Sequence, residues 1–143
     1  MIYSEEKRDL FEVPEDYYLV HCIASDLIMG AGIAVPMQKK FNLRSALKYF
    51  EYKGASLDPP TCLLVDRVFN LITKKKSYGK PTLQSLQKSL DVMKEMTVAK
   101  NIKKIAMPKI GCGLDRLQWA DVSGYLKDIF KDSDIEILVC VWG

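Results

Sequence analysis

Apolar positions along the chain fall into two rhythms. Short, near-continuous apolar runs at residues 17–24 (YYLVHCIA), 102–108 (IKKIAMP) and 135–142 (IEILVCVW) predict buried strands. Residues 61–75 read as a strand, a brief turn near Asp66–Arg67 and a second strand. Between these runs the spacing changes to that of helices. Ile33, Met37 and Phe41 recur at roughly helical intervals, with Lys39 and Lys40 on the other side. Pro36 fits only in a first turn, so that helix should start around Gly32 or Ile33. Residues 43–52 predict a second short helix, ended by Gly54 and the Pro59–Pro60 loop. The clearest helix covers 81–96, with Thr82 as N-cap and Leu83, Leu86, Leu90 and Met93 on one apolar face. A last helix over 117–130 places Trp119, Val122, Leu126 and Ile129 on its buried side.

Strands alternating with helices imply an α/β fold in three layers around a mixed sheet. Such sheets take ligands in the crevice at their strand carboxyl ends. Three loops leave strands in the right sense to meet there, at residues 25–32, 73–80 and 108–116. At 143 residues, with neither repeat nor linker, one domain over 1–143 is expected.

The net charge of +3 suits an anionic ligand without requiring nucleic acid. Four scattered cysteines and a single histidine support neither a disulfide scaffold nor a structural zinc site; no metal and no cofactor are expected. Neither a signal layout nor a membrane-length apolar run is present. These features predict a cytoplasmic protein (or a nuclear one in a eukaryote) that makes no membrane contact and remains a monomer.

Two loops have the small residues that an anion seat needs. Gly30–Ala31–Gly32 precedes one helix, and IGCGLD (110–115) follows another strand. Either alone reads equally well as a turn; two on one sheet edge favour binding. The third glycine of a dinucleotide fingerprint and the lysine–serine/threonine ending of a Walker loop are both missing. The run Lys74, Lys75, Lys76 reads, on residues alone, as a solvated face, and nothing in it singles out one lysine.

Three stretches together resemble a macrodomain: HCIASDLIMGAGIAVPMQKKF, LITKKKSYGKPTLQSLQKSL and MPKIGCGLDRLQW. The likeness runs from Asp9 to Trp142 and is to the branch that contains the terminal ADP-ribose protein glycohydrolase and its bacterial relatives. It implies a three-layer α/β/α macrodomain with a mixed central sheet and an ADP-ribose site across the carboxyl edge. By matching position, Asp9 would hold the adenine amino group and Leu10 would line its pocket. Gly30, Ala31, Gly32 and Ile33 would wrap the distal ribose and diphosphate from one side. Lys109, Ile110, Gly111, Cys112, Gly113 and Leu114 would supply main-chain amides from the other. Trp142 would lie beside the base, and Ala24 falls where the family often has serine. Arg8 stands where the family usually has glycine, and Gly143 extends the usual end by one residue.

The resemblance also implies the chemistry. A lysine ending the LIT strand is the branch's nucleophile and an aspartate in GLDR moves protons, which carries over to Lys74 and Asp115. Desolvation and neighbouring lysine charges would favour the neutral, nucleophilic amine. The implied reaction releases ADP-ribose from glutamate or aspartate esters on modified protein. The alternatives are release from thymidine in DNA, with Lys100, Lys103, Lys104 and Lys109 helping to hold the strand, and a reader that binds ADP-ribose without catalysis. Readers lack the lysine–aspartate pair. His21, mid-strand, is expected in the core and Cys112 to be merely small, while Trp119 and Tyr125 are expected to pack helices.

Overall fold

Alternate residues of each central strand point to opposite faces, and both faces here are apolar. On β2 (Tyr18–Ala24), Leu19 and Ile23 enter one cluster and Val20 the other. On β4 (Val68–Lys74), Val68 and Ile72 face one way, Phe69 and Leu71 the other. A sheet of this kind must be covered twice. Helices α1 (Ala34–Phe41) and α2 (Leu43–Tyr52) cover the first face with Met37, Leu43 and Leu47. Helices α3 (Leu83–Ala99) and α4 (Trp119–Phe130) cover the second with Leu86, Leu90, Met93, Val122, Leu126 and Phe130. The expected three-layer α/β/α arrangement is thus present in this computed structural model, which describes residues 1–113 and 115–141.

The remaining strands are β1 (Ile2–Lys7), β3 (Thr61–Val65), β5 (Lys104–Met107) and β6 (Glu136–Val141). Among the described residues the sheet runs β1-β6-β5-β2-β4-β3, parallel except for β3, which pairs antiparallel with β4. The β3–β4 hairpin turns at Asp66, whose φ of 52° a short polar residue tolerates. Helix α1 is preceded by Ile33 as N-cap and holds Pro36 in its first turn, as the spacing predicts.

Strand β1 has no counterpart in the sequence reading. Its six residues, IYSEEK, hold only two hydrophobics and carry no alternation strong enough to mark a strand. It forms because β6 offers an open edge, pairing from Ile2↔Glu136 to Lys7↔Val141. A side chain of α4 then fastens it: the indole Nε1 of Trp119 donates to Glu5 Oε2 at 2.9 Å, the oxygen that also accepts from the Tyr3 hydroxyl within the strand at 2.6 Å. On the same helix the Tyr125 hydroxyl donates to Asp91 at 2.5 Å, tying α4 to α3. Arg8 has no positive φ and pairs with Glu6 at 3.2 Å, so the chain leaves β1 without the turn a glycine would allow.

His21 is wholly buried in β2, as a core residue should be, with Nε2 2.6 Å from Asn70 Oδ1. Asn70 in turn donates to the main-chain oxygens of Leu63 and Val68, so its carbonyl is the end left to accept from the imidazole. Nδ1 finds no partner among the described residues. Burial drives the His21 pKa down to about 4, against the modest opposing pull of the Asn70 hydrogen bond. The folded imidazole therefore stays neutral where the unfolded one, near 6.5, takes up a proton. Stability from this group is full above pH 6.5 and is lost as pH falls toward 4. Urea unfolding is expected to show a loss of about 2–3 kcal/mol between pH 7 and 4.5. Carboxylates held below their ordinary range, such as Asp26, act mainly at lower pH. A His21→Gln protein should lose most of the slope in that window; an unchanged slope would assign it elsewhere.

Candidate active site

The carboxyl ends of β2, β4 and β5 open onto one cleft of about 320 Å³. Lys74, the last residue of β4, reaches into it and places Nζ 2.7 Å from Asp115 Oδ1. The two side chains are only 15% and 16% exposed, so this is a charge-assisted pair largely shielded from water. The expected repulsion from adjacent lysines is not what surrounds the amine. Lys75 and Lys76 stand exposed on the loop, and the charge within reach of Nζ is the Asp115 carboxylate. For the amine to attack anything, the shared proton must first move to that carboxylate or to water.

One wall of the cleft is Ala24 with Gly30, Ala31, Gly32 and Ile33, and the other is Lys109, Ile110, Gly111 and Gly113. Side-chain capping is absent at the start of α1, and its N-cap Ile33 and first residue Ala34 line the cleft. Helix N-terminal amides of this kind, with the positive end of the helix dipole, favour an anion. Asp9, Leu10 and Cys112 do not line the cleft. Asp9 Oδ1 caps a short 3₁₀ turn (Leu10–Glu12) by accepting from Phe11 N at 2.9 Å, and Leu10 is buried in the core cluster that α1 and α2 also enter. Cys112 turns its thiol to the Ile110 carbonyl, 3.3 Å away, and burial raises its pKa. Leu114 and Trp142 lie outside the described residues.

The glycines serve different needs. Gly111 has φ +75°, and a Cβ there would come within 3.0 Å of Leu86 and 3.1 Å of Leu117, so the fold itself demands it. Gly113 lies outside the left-handed φ range and a Cβ would meet nothing within 4 Å, so no packing against the described residues accounts for it. A glycine of that second type leaves room for a ligand to touch main chain.

Two residues passed over in the sequence hold the glycine loop in shape. Leu27 and Met29 adopt φ of 58° and 48°, unusual for bulky side chains. Arg44, at the start of α2, donates Nε to Leu27 O at 2.7 Å and Nη2 to Ile28 O. Asp26 accepts from Ile28 N at 3.1 Å and from Ser77 N at 2.7 Å, joining this loop to the one that follows Lys74. Partial burial works against the Asp26 charge, but those two amides with Lys76 prevail and hold its carboxyl below the ordinary range. The strand pairing continues into the same loops, from Ser25 N to Lys74 O at 2.9 Å and Asp26 N to Lys75 O at 3.2 Å. Ser77, also unremarked in the sequence, lines the cleft as a result.

The cleft lies between two glycine loops at the carboxyl edge of a three-layer α/β/α fold, and the Macro domain family model matches residues 20–126. The chain belongs to that family. It is 43% identical over 135 residues to the ADP-ribose glycohydrolases OARD1 of Bos taurus and Homo sapiens, covering 93% of this chain and 87% of each relative. The macrodomain of Mycobacterium tuberculosis DarG superposes with a TM-score of 0.83 at 21% identity, covering 97% of both chains. Thermosipho africanus DarTG, solved in complex with ADP-ribose, superposes with a TM-score of 0.77 at 18% identity over 98% of this chain and 41% of its own. At those identities the structural likeness is one of fold. Among the described residues no helix is long and apolar enough to cross a membrane.

Proposed function

We propose that this protein is an ADP-ribose glycohydrolase that releases ADP-ribose from glutamate and aspartate esters on modified proteins. The observation that carries the reading is the 2.7 Å Lys74–Asp115 pair at the head of a cleft walled by two glycine loops. Identity with the OARD1 glycohydrolases over most of the chain supports hydrolysis of an ADP-ribosyl bond. The diphosphate lies between the amides of the first turn of α1 and the loop after β5, and the distal ribose reaches Lys74. Asp115 accepts the proton of the Lys74 ammonium. The freed amine attacks the anomeric carbon, the C1″–O bond breaks, and the carboxylate departs with that electron pair. The resulting glycosylamine opens to a protonated Schiff base. Water adds at C1″, the amine leaves and takes a proton back, and ADP-ribose is released. A glycosidase usually works with two carboxylates, whereas here an amine replaces one and the good carboxylate leaving group needs little acid help.

The pair itself argues against a pure reader of ADP-ribose. The DNA alternative has less support from the lysines named for it. Lys103 and Lys104 pair with Asp134 and Asp16 at 2.7 and 2.9 Å, and Lys104 begins β5, at the end of the strand away from the cleft. The test compares three substrates: a glutamate-ADP-ribosylated peptide, a serine-ADP-ribosylated peptide and an ADP-ribosylated thymidine oligonucleotide. Release from the glutamate ester at least about 100-fold faster than from the other two is expected, a difference of about 2.7 kcal/mol in barrier. Fastest release from the oligonucleotide would replace the ester reading with the DNA one, and binding without release from any would leave a reader.

A further inference from the structure

Lys74 lines a second concavity besides the cleft, an open groove of about 400 Å³. Pro59 and Pro60 form one part of its wall, Tyr78 and Lys80 another, and the capped N-terminus of α3 a third. The residue proposed as nucleophile is thus common to both spaces. With the diphosphate held between the glycine loops, whatever is attached at C1″ has to pass Lys74 on its way out of the cleft. Building on the ester-hydrolase reading above, we propose that this groove seats the acceptor chain. It selects acceptor peptides that carry acidic side chains beside the modified glutamate or aspartate.

The groove's charge is one-sided. Lys75, Lys76 and Lys80 line it and are exposed, none forms an ion pair within 4 Å among the described residues (Lys76 acts on Asp26 from farther off), and its described lining contains no carboxylate. The N-terminus of α3 adds the positive end of a helix dipole. The Tyr78 ring is 84% exposed, a flat surface available to aliphatic or main-chain atoms of a peptide. Thr73, buried at the inner end beside Lys74, has a hydroxyl without a hydrogen-bond partner among the described residues.

The extent of the patch decides between a peptide and a nucleic acid. Lys75 and Lys76 also border a depression lined by Asp26, Glu51 and Asp58. A polyanion needs a continuous basic track and would run onto these carboxylates. One or two acidic side chains need only the three lysines.

The test uses two glutamate-ADP-ribosylated peptides, identical except for acidic or neutral flanking residues, and an ADP-ribosylated single-stranded oligonucleotide. Wild-type kcat/KM is expected to be about tenfold higher for the acidic peptide at low salt, and the gap should close as salt rises. The triple variant Lys75→Ala, Lys76→Ala, Lys80→Ala should lose that tenfold through KM while the neutral peptide changes less than about twofold; Tyr78→Ala should weaken both peptides through KM. Equal loss on both peptides in the triple variant, or a loss confined to the oligonucleotide, overturns the proposal. Affinity of a Lys74→Arg protein for the same peptides reads the groove without turnover. Tighter binding of the acidic peptide without any wild-type hydrolysis would sink the ester reading and keep the groove. Hydrolysis with no acidic preference would sink the groove and keep the ester reading.

Discussion

Lys74→Arg is expected to bind ADP-ribose as the wild type does, to keep its melting temperature, and to lose turnover of the glutamate ester by on the order of 10³-fold or more. The substitution separates two things that alanine would remove together. Arginine preserves a cation beside Asp115, so the charge pair that is 15% and 16% exposed in the wild type is not left half-made. Its guanidinium stays protonated at any accessible pH and cannot attack carbon. Lys74→Ala should lose the same turnover but with a stability cost of about 1–2 kcal/mol, because Asp115 is then left without its partner. Borohydride added during turnover gives the chemical readout. It reduces the Schiff base and should leave the wild type heavier by one ADP-ribosyl group, attached at position 74, whereas both variants stay unlabelled. Wild-type turnover by either variant would remove Lys74 from the chemistry. Loss of ADP-ribose binding in Lys74→Arg would recast it as a binding residue.

That Lys74 rather than its neighbours takes this position is a matter of register, which residue types do not carry. The pairing of β2 with β4 shifts between Ile23 and Ala24, so Ala24 stands opposite Lys74. The chain then turns outward, leaving Lys75 and Lys76 exposed. Three lysines in a row offer no way to see where the strand stops; the family resemblance supplied the choice. The buried strands, by contrast, were legible, because a strand covered on both faces must be apolar throughout. Strand β1 is illegible for the opposite reason. It is an edge strand with most of its residues exposed, fixed by the partner it finds in β6 rather than by its own pattern. Asp26 and Arg44 were illegible for a third reason: their partners are main-chain groups of non-repeating loops, whose positions exist only once the fold does. Gly111 and Gly113 look alike in IGCG, yet one is required by φ and by Leu86 and Leu117, the other by neither.

Asp115→Asn should reduce ester turnover by about 10²–10⁴-fold, the range for losing a positioned proton acceptor. The asparagine amide has the size of the carboxylate and can still touch Nζ, so binding of ADP-ribose and the fold are expected to hold. It cannot take the proton that Lys74 must lose. In the wild type that proton has a base 2.7 Å away; in the variant it must leave to water. Turnover within about threefold of wild type at pH 7 would mean that the carboxylate is dispensable and that the proton goes straight to solvent.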